Sequence, residues 1–327
     1  MATPSTVLSS RTNHATAKSN ALQLISAFKT ASGPRMSPHY PNISRRRVAE
    51  ELKHTMSSAK ASGEIHQVQS SLCGPAAFFF SLAETKPDVY VSLIIELFNT
   101  GHAQLRNIKL RSSAKARQYN PSRIRETDWM ILSSIKPKYD HPSEQFDGIT
   151  FPGKLEKWFK DAGYSQVDDI TNLLSTKNIK TLLNAHNDRQ NGYYVCLFVD
   201  ADIFNKTSLK SGPSSTPNHW VVLNSDIKIR EYDEGLSMLK PPATINASLA
   251  TLIQNEIDQA QSKAEFEADI YEDGSDIDPL ESEDRIILNA FTWGDPSNPV
   301  YNRTNRAQDA KLYYFLRGFY GYVRAKW

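Results

Sequence analysis

Cysteine is scarce: Cys73 and Cys196 are the only two in 327 residues. Two thiols cannot build the disulfide framework of a small secreted scaffold, so a hydrophobic core must hold the chain, and either thiol is available for chemistry. Glycine is sparse too, at 14 residues, and forms no phosphate-cradling loop. No stretch approaches the roughly 18 apolar residues that a membrane-spanning helix needs. The longest patches, 76–80 and 89–98, are short or broken by Ser92 and Glu96, and no membrane span is expected. The first twenty residues are polar and Ser/Thr-rich. They lack the apolar segment of about 7–15 residues that marks a secretory signal, so the expectation is synthesis in the cytoplasm without a signal peptide. Charge is balanced, 38 Lys/Arg against 36 Asp/Glu, a net +2. That balance excludes a global electrostatic argument for nucleic acid or acidic lipid, and no nucleic acid is required as a partner.

What is present is core material. Hydrophobic residues make up 39% of the chain and aromatics 10%, enough to exclude a wholly disordered polymer. The charges that cancel overall are segregated. Residues 1–125 hold 17 Lys/Arg and 6 Asp/Glu, whereas 256–284 hold 12 acidic residues and only Lys263 as a base. Residues 1–60 are low in aromatics and read as a flexible or helical N-terminal extension, with weak helices over 21–29 and 44–58. From Gln67 the pattern is globular. Helices are predicted over 75–84, 89–100, 127–135, 152–162, 172–187 and 246–266. Strands are predicted over 193–200, 220–224, 227–232 and 285–291, with a last strand pair over 311–323. Helices precede strands, which is the signature of an α+β fold. The domain reading is an extension to residue 60, then one domain over 61–327 with insertions at about 101–190 and 233–284.

Three motifs carry chemistry. In Gln67-Val-Gln-Ser-Ser-Leu-Cys73-Gly-Pro, a cysteine opens a helix, where backbone N–H groups and the positive end of the helix dipole favour its thiolate. Gln67 is spaced to donate to a developing oxyanion. In Pro217-Asn-His219-Trp-Val-Val-Leu, a histidine stands at the mouth of an apolar strand, a rigid mount for a general base. Asn289-Ala-Phe-Thr-Trp293-Gly-Asp295 ends another strand in Trp-Gly and offers a polar group to orient that histidine. Cys196, mid-strand in Tyr-Tyr-Val-Cys-Leu-Phe-Val-Asp, has no neighbouring histidine and reads as core; no metal site or cofactor is expected.

Together these motifs resemble the papain-like cysteine peptidases, nearest the bacterial branch that processes bacteriocins at double-glycine sites. Gln67, Cys73 and His219 match that family's pattern by position and context. The resemblance implies a helical half carrying the nucleophile on its central helix and an antiparallel β half carrying the histidine. It covers about 67–100 and 215–300. The family's Asn-x-Trp-Gly becomes Phe291-Thr292-Trp293-Gly294 here, so the orienting asparagine is missing from its usual place. Asn289, two residues earlier, is the favoured substitute; Asp295 and Asp226 are alternatives, and Asn224 is the weakest because it lies far along the strand from His219.

The expected activity is peptide-bond hydrolysis by a Cys73–His219 pair, with a protein or peptide as substrate. The resemblance further implies an antibacterial toxin or effector, delivered by a dedicated secretion system and held in check by a cognate immunity protein. Glutamine deamidation, transglutaminase-type acyl transfer and peptidoglycan amidase chemistry use the same catalytic groups. A catalytically inactive papain-like binding module is the alternative of a different class.

Overall fold

The structure, a computed structural model, describes residues 14–57, 65, 67, 71–138, 149–174, 178–204, 217–233, 236, 238–270, 284–292, 305–306 and 310–327. The chain mixes helix and strand and divides into two compact units, Met1–Gly148 and Ile149–Trp327. Among the described residues no helix is long and apolar enough to cross a membrane.

The first unit is mainly helical. Its elements are α1 (His14–Thr30), α2 (Arg45–Ser57), α3 (Cys73–Thr85), α4 (Pro87–Thr100), a hairpin of β1 (Ala103–Leu105) and β2 (Ile108–Leu110), α5 (Ala114–Gln118) and α6 (Glu126–Ser134). Ala17, Ala21, Ile25 and Phe28 recur at helical spacing and form the buried stripe of α1. Val48, Ala49, Leu52 and Met56 do the same for α2. Both helices pack on α4, where the Phe28 ring meets Phe98 edge-on at 5.1 Å. Residues 14–57 are therefore part of a folded unit and not an arm. Their low aromatic content suggested an extension, but alanine and aliphatic stripes suffice when a partner helix supplies the bulk.

Local rules fix the helix ends. Pro87 starts α4 where no N–H partner is lost, and Gly101 ends it at φ 75°, a conformation costly for other residues. The start of α6 is capped from α2: the Glu51 carboxylate accepts from the backbone N–H of Thr127 at 2.9 Å and from its hydroxyl at 3.0 Å. A carboxylate there also complements the helix dipole.

The second unit contains α7 (Pro152–Ala162), β3 (Gln166–Asp169), α8 (Ile179–Gln190), β4 (Tyr194–Val199), β5 (His219–Leu223), β6 (Lys228–Arg230), β7 (Tyr232–Asp233), β8 (Met238–Leu239), β9 (Ala243–Thr244), α9 (Ala247–Ile270), β10 (Arg285–Ile287), β11 (Asn289–Phe291), β12 (Asn305–Arg306), β13 (Ala310–Lys311), α10 (Leu312–Arg317) and β14 (Phe319–Lys326). A six-stranded antiparallel sheet runs β12-β11-β5-β4-β14-β3, and a four-stranded one runs β13-β10-β6-β9. β4 and β5 are central and buried on both faces, which is why their sequences are continuous apolar runs. One face of the large sheet, through Leu197, Val199, Val221, Leu223 and Ala290, joins Ile179, Leu182, Ala185 and Ile253 in a single core.

Three sequence expectations change here. The strand predicted over 285–291 is two strands in different sheets, parting at Leu288. The strand pair predicted over 311–323 is helix α10 followed by β14, since Leu312, Phe315 and Leu316 form a helical stripe. The insertions are also not appendages. Residues 101–190 span the unit boundary and contribute β3 to the sheet edge, while Ala250 and Ile253 of α9 are core residues. β14 ends the fold with a bulge, where Gly321 adopts φ 107° and lies so close to the carbonyl oxygen of Ile170 that a Cβ would clash with it.

Candidate functional site

Cys73 belongs to the first unit and His219 to the second. Cys73 is the first residue of α3 and is 4% exposed. Leu72 precedes it at the N-cap and makes no side-chain cap hydrogen bond. The start of α3 places the positive end of the helix dipole at the thiol. Pro75 follows within the first turn, where its missing N–H is harmless. Gln67 is buried in the same unit.

His219 is the first residue of β5, opposite Val199 of β4. Its neighbours lock that strand end. The side chain of Asn218 accepts from the backbone N–H of Ala201 at 2.9 Å. The Trp220 indole donates to the Thr150 carbonyl at 2.7 Å and stacks on Phe198 at 4.5 Å. The His219 ring points to the other face, where Nε2 lies 2.5 Å from the Thr292 hydroxyl. Both side chains are buried, at 3% and 1% exposure. Burial pushes the imidazole pKa down to about 3, so the ring is neutral across the physiological range.

The expected orienter, Asn289, is not beside His219. The register pairs Phe291 with Val222 and Ala290 with Leu223, which sets Asn289 opposite Asn224. The Asn224 N–H donates to the Asn289 carbonyl at 2.8 Å, and the Asn289 N–H to Ser225 Oγ at 2.7 Å. From residue 219 to 224 is five steps, roughly 16 Å, and an odd number of steps turns the side chain to the opposite face. The objection that made Asn224 weak therefore applies to Asn289. Asp226 is engaged elsewhere, in an ion pair with Arg189 at 2.9 Å. Trp293 and Asp295 lie outside the described residues. Thr292, passed over in the sequence as the unspecified residue before Trp293, is a side chain that meets His219. Only the strand register reveals it, because β5 and β11 are separated by an excursion whose length no local pattern predicts.

Cys196 pairs opposite Val222 in mid-sheet, and burial pushes its thiol pKa well up, which makes it inert. Among the described residues no three His, Cys, Asp or Glu side chains converge as metal ligands would. Comparisons with known protein families, with curated proteins and with solved structures find no match.

Proposed function

We propose that the protein is a cysteine hydrolase of papain-like type that cleaves peptide bonds, with Cys73 as nucleophile and His219 as general base. The observation that carries this is His219 itself: a buried, neutral imidazole at the end of a rigid central strand, its Nε2 held by a hydroxyl. A histidine fixed by one ring nitrogen is oriented for proton transfer through the other, and the thiolate formed in the same step has to offset the burial that disfavours the imidazolium. Cys73, at the start of a helix, supplies a thiol whose anion that location favours.

The reaction on this reading begins with Cys73 Sγ and His219 Nδ1. The thiol proton passes to Nδ1 as sulfur attacks the substrate carbonyl carbon, and the carbonyl electrons move to oxygen. Gln67 is assigned to donate to that oxyanion. The tetrahedral adduct collapses to a thioester as Nδ1 returns the proton to the leaving amine. Water, deprotonated by Nδ1, attacks the thioester; the carboxylic acid leaves and the thiol is restored. A neutral resting histidine makes the first step a transfer concerted with attack and not the use of a standing ion pair. The substrate on this reading is a protein or peptide, and an inhibitory protein partner remains part of the proposal. With a glutamine side-chain amide as the bond attacked, ammonia leaving and water as acceptor, the same groups would give deamidation; an amine in place of water would give acyl transfer.

Iodoacetamide at neutral pH tests the assignment. Cys73 should be alkylated in the folded protein and Cys196 should not. Cys73→Ala should abolish both labelling and peptide hydrolysis, and His219→Ala should slow labelling roughly 10²-fold or more, as loss of a positioned base does. A folded protein in which Cys73 is unreactive would overturn the assignment.

A further inference from the structure

An imidazole can act as base through Nδ1 only when its proton sits on Nε2, so whatever touches Nε2 decides whether His219 is usable. In a carboxylate or amide carbonyl the accepting oxygen has no proton, and it enforces that tautomer. A hydroxyl both donates and accepts, so it permits either. Thr292 is therefore an unusual partner for a general base, and the nitrogen it contacts is the one that sets the tautomer.

The strand geometry explains why this residue and no other near it can serve. β11 runs antiparallel to β5, with Phe291 opposite Val222, so Thr292 continues the ladder opposite Val221 and points to the same face as residues 219 and 221. It stands diagonal to His219, within reach of a ring but not of a shorter side chain. Phe291, at the position where the resembled family carries asparagine, is opposite Val222 and faces away. Thr292 is 1% exposed, so water does not compete for the hydrogen bond, and the neutral ring does not demand an anionic partner.

We propose that Thr292 is the positioning residue of His219: its hydroxyl accepts from Nε2–H, holding the ring in the tautomer that leaves Nδ1 unprotonated. The catalytic consequence rests on the hydrolase reading above; the tautomer itself does not. Removing that hydroxyl takes the acceptor away from Nε2 with little change to the strand.

The test is long-range ¹⁵N NMR of histidine-labelled protein at pH 7, with the His219 signals assigned by their loss in His219→Gln. The wild-type ring should show a protonated Nε2 and an unprotonated Nδ1. Thr292→Val, nearly isosteric, should shift the signals toward the Nδ1–H form or a mixture of the two, and Thr292→Ser should restore the wild-type pattern. In parallel, iodoacetamide labelling of Cys73 should slow roughly 10²-fold in Thr292→Val and recover in Thr292→Ser. A wild-type ring protonated on Nδ1, or a ring unchanged in Thr292→Val, overturns the positioning role. The wild-type spectrum alone can do so if the valine variant fails to fold. An unreactive Cys73 beside the expected tautomer overturns the hydrolase reading and leaves the role of Thr292 standing.

Discussion

His219 shows how burial of a titratable side chain makes stability depend on pH. Its pKa falls from the ordinary 6.5 to about 3 because the imidazolium would lose its water. Unfolding restores the ordinary value, so between these limits the unfolded chain binds a proton that the folded one does not. Stability is then fully present above about pH 6.5 and is lost as pH falls toward 3, by up to about 1.4 kcal/mol per pH unit. Urea unfolding at pH 6.5 and 4.5, compared between wild type and His219→Gln, should show the steeper loss in the wild type. Equal losses would mean that the ring reaches water and titrates normally. The motif around His219 was legible in the sequence because an apolar strand with one polar residue at its mouth is a local pattern. Its partner was not. Choosing among Asn289, Asp295, Asp226 and Thr292 needs the register of two strands distant in sequence, and a slip of one residue reverses which face each side chain takes.

At the scale of elements, the helices were the most readable part of the chain. Pro152 and Gly163 bracket α7 with its predicted bounds, and Pro87 and Gly101 define α4 equally well, because these residues act on the backbone locally. The strands β4 and β5 were visible as apolar, β-branched runs. Residues 312–317 read as strand because Tyr, Phe and Leu suit either state; the core below selects helix through Leu312, Phe315 and Leu316. β3 was missed outright, since a strand reading Gln-Val-Asp-Asp has no apolar alternation and owes its existence to pairing with β14. That pairing depends on Gly321, and Gly321→Ala should force the backbone at Ile170 aside and cost at least about 2 kcal/mol, among the larger single-residue effects. Chemical denaturation should show a lowered midpoint, and hydrogen exchange should show the loss of protection concentrated in β14 and β3. A midpoint within about 0.5 kcal/mol of wild type would mean that the bulge adapts to a side chain.

At the scale of the molecule, a net charge of +2 conceals charges that are strongly segregated along the chain. In the first unit the acids are withdrawn: Glu126 and Asp128 are buried, and Glu51, Glu84, Asp88 and Glu96 are half-buried. Several of them serve the fold, Glu51 as the cap of α6 and Glu126 as the acceptor of the Ser44 N–H at 2.8 Å. Glu50 is the exposed acid among the described residues of that unit, whereas Arg35, Arg46, Arg47, Lys53, Arg106, Lys109, Arg111, Lys115 and Arg123 are all exposed. The compensating acids are concentrated in 256–284, in the other unit. A protein with this distribution should behave as a cation toward any surface that meets its first unit, whatever its net charge. At pH 8.3, where the net charge vanishes, it should still bind a sulfonate cation exchanger at low salt and elute as salt screens the contact. Replacing Arg106, Lys109, Arg111 and Lys115 by Gln should lower the salt needed for elution without changing the unfolding midpoint, because their side chains are exposed and carry no core. Flow-through of the wild-type protein at low salt would show that the exposed bases of the first unit do not act together as a cationic surface.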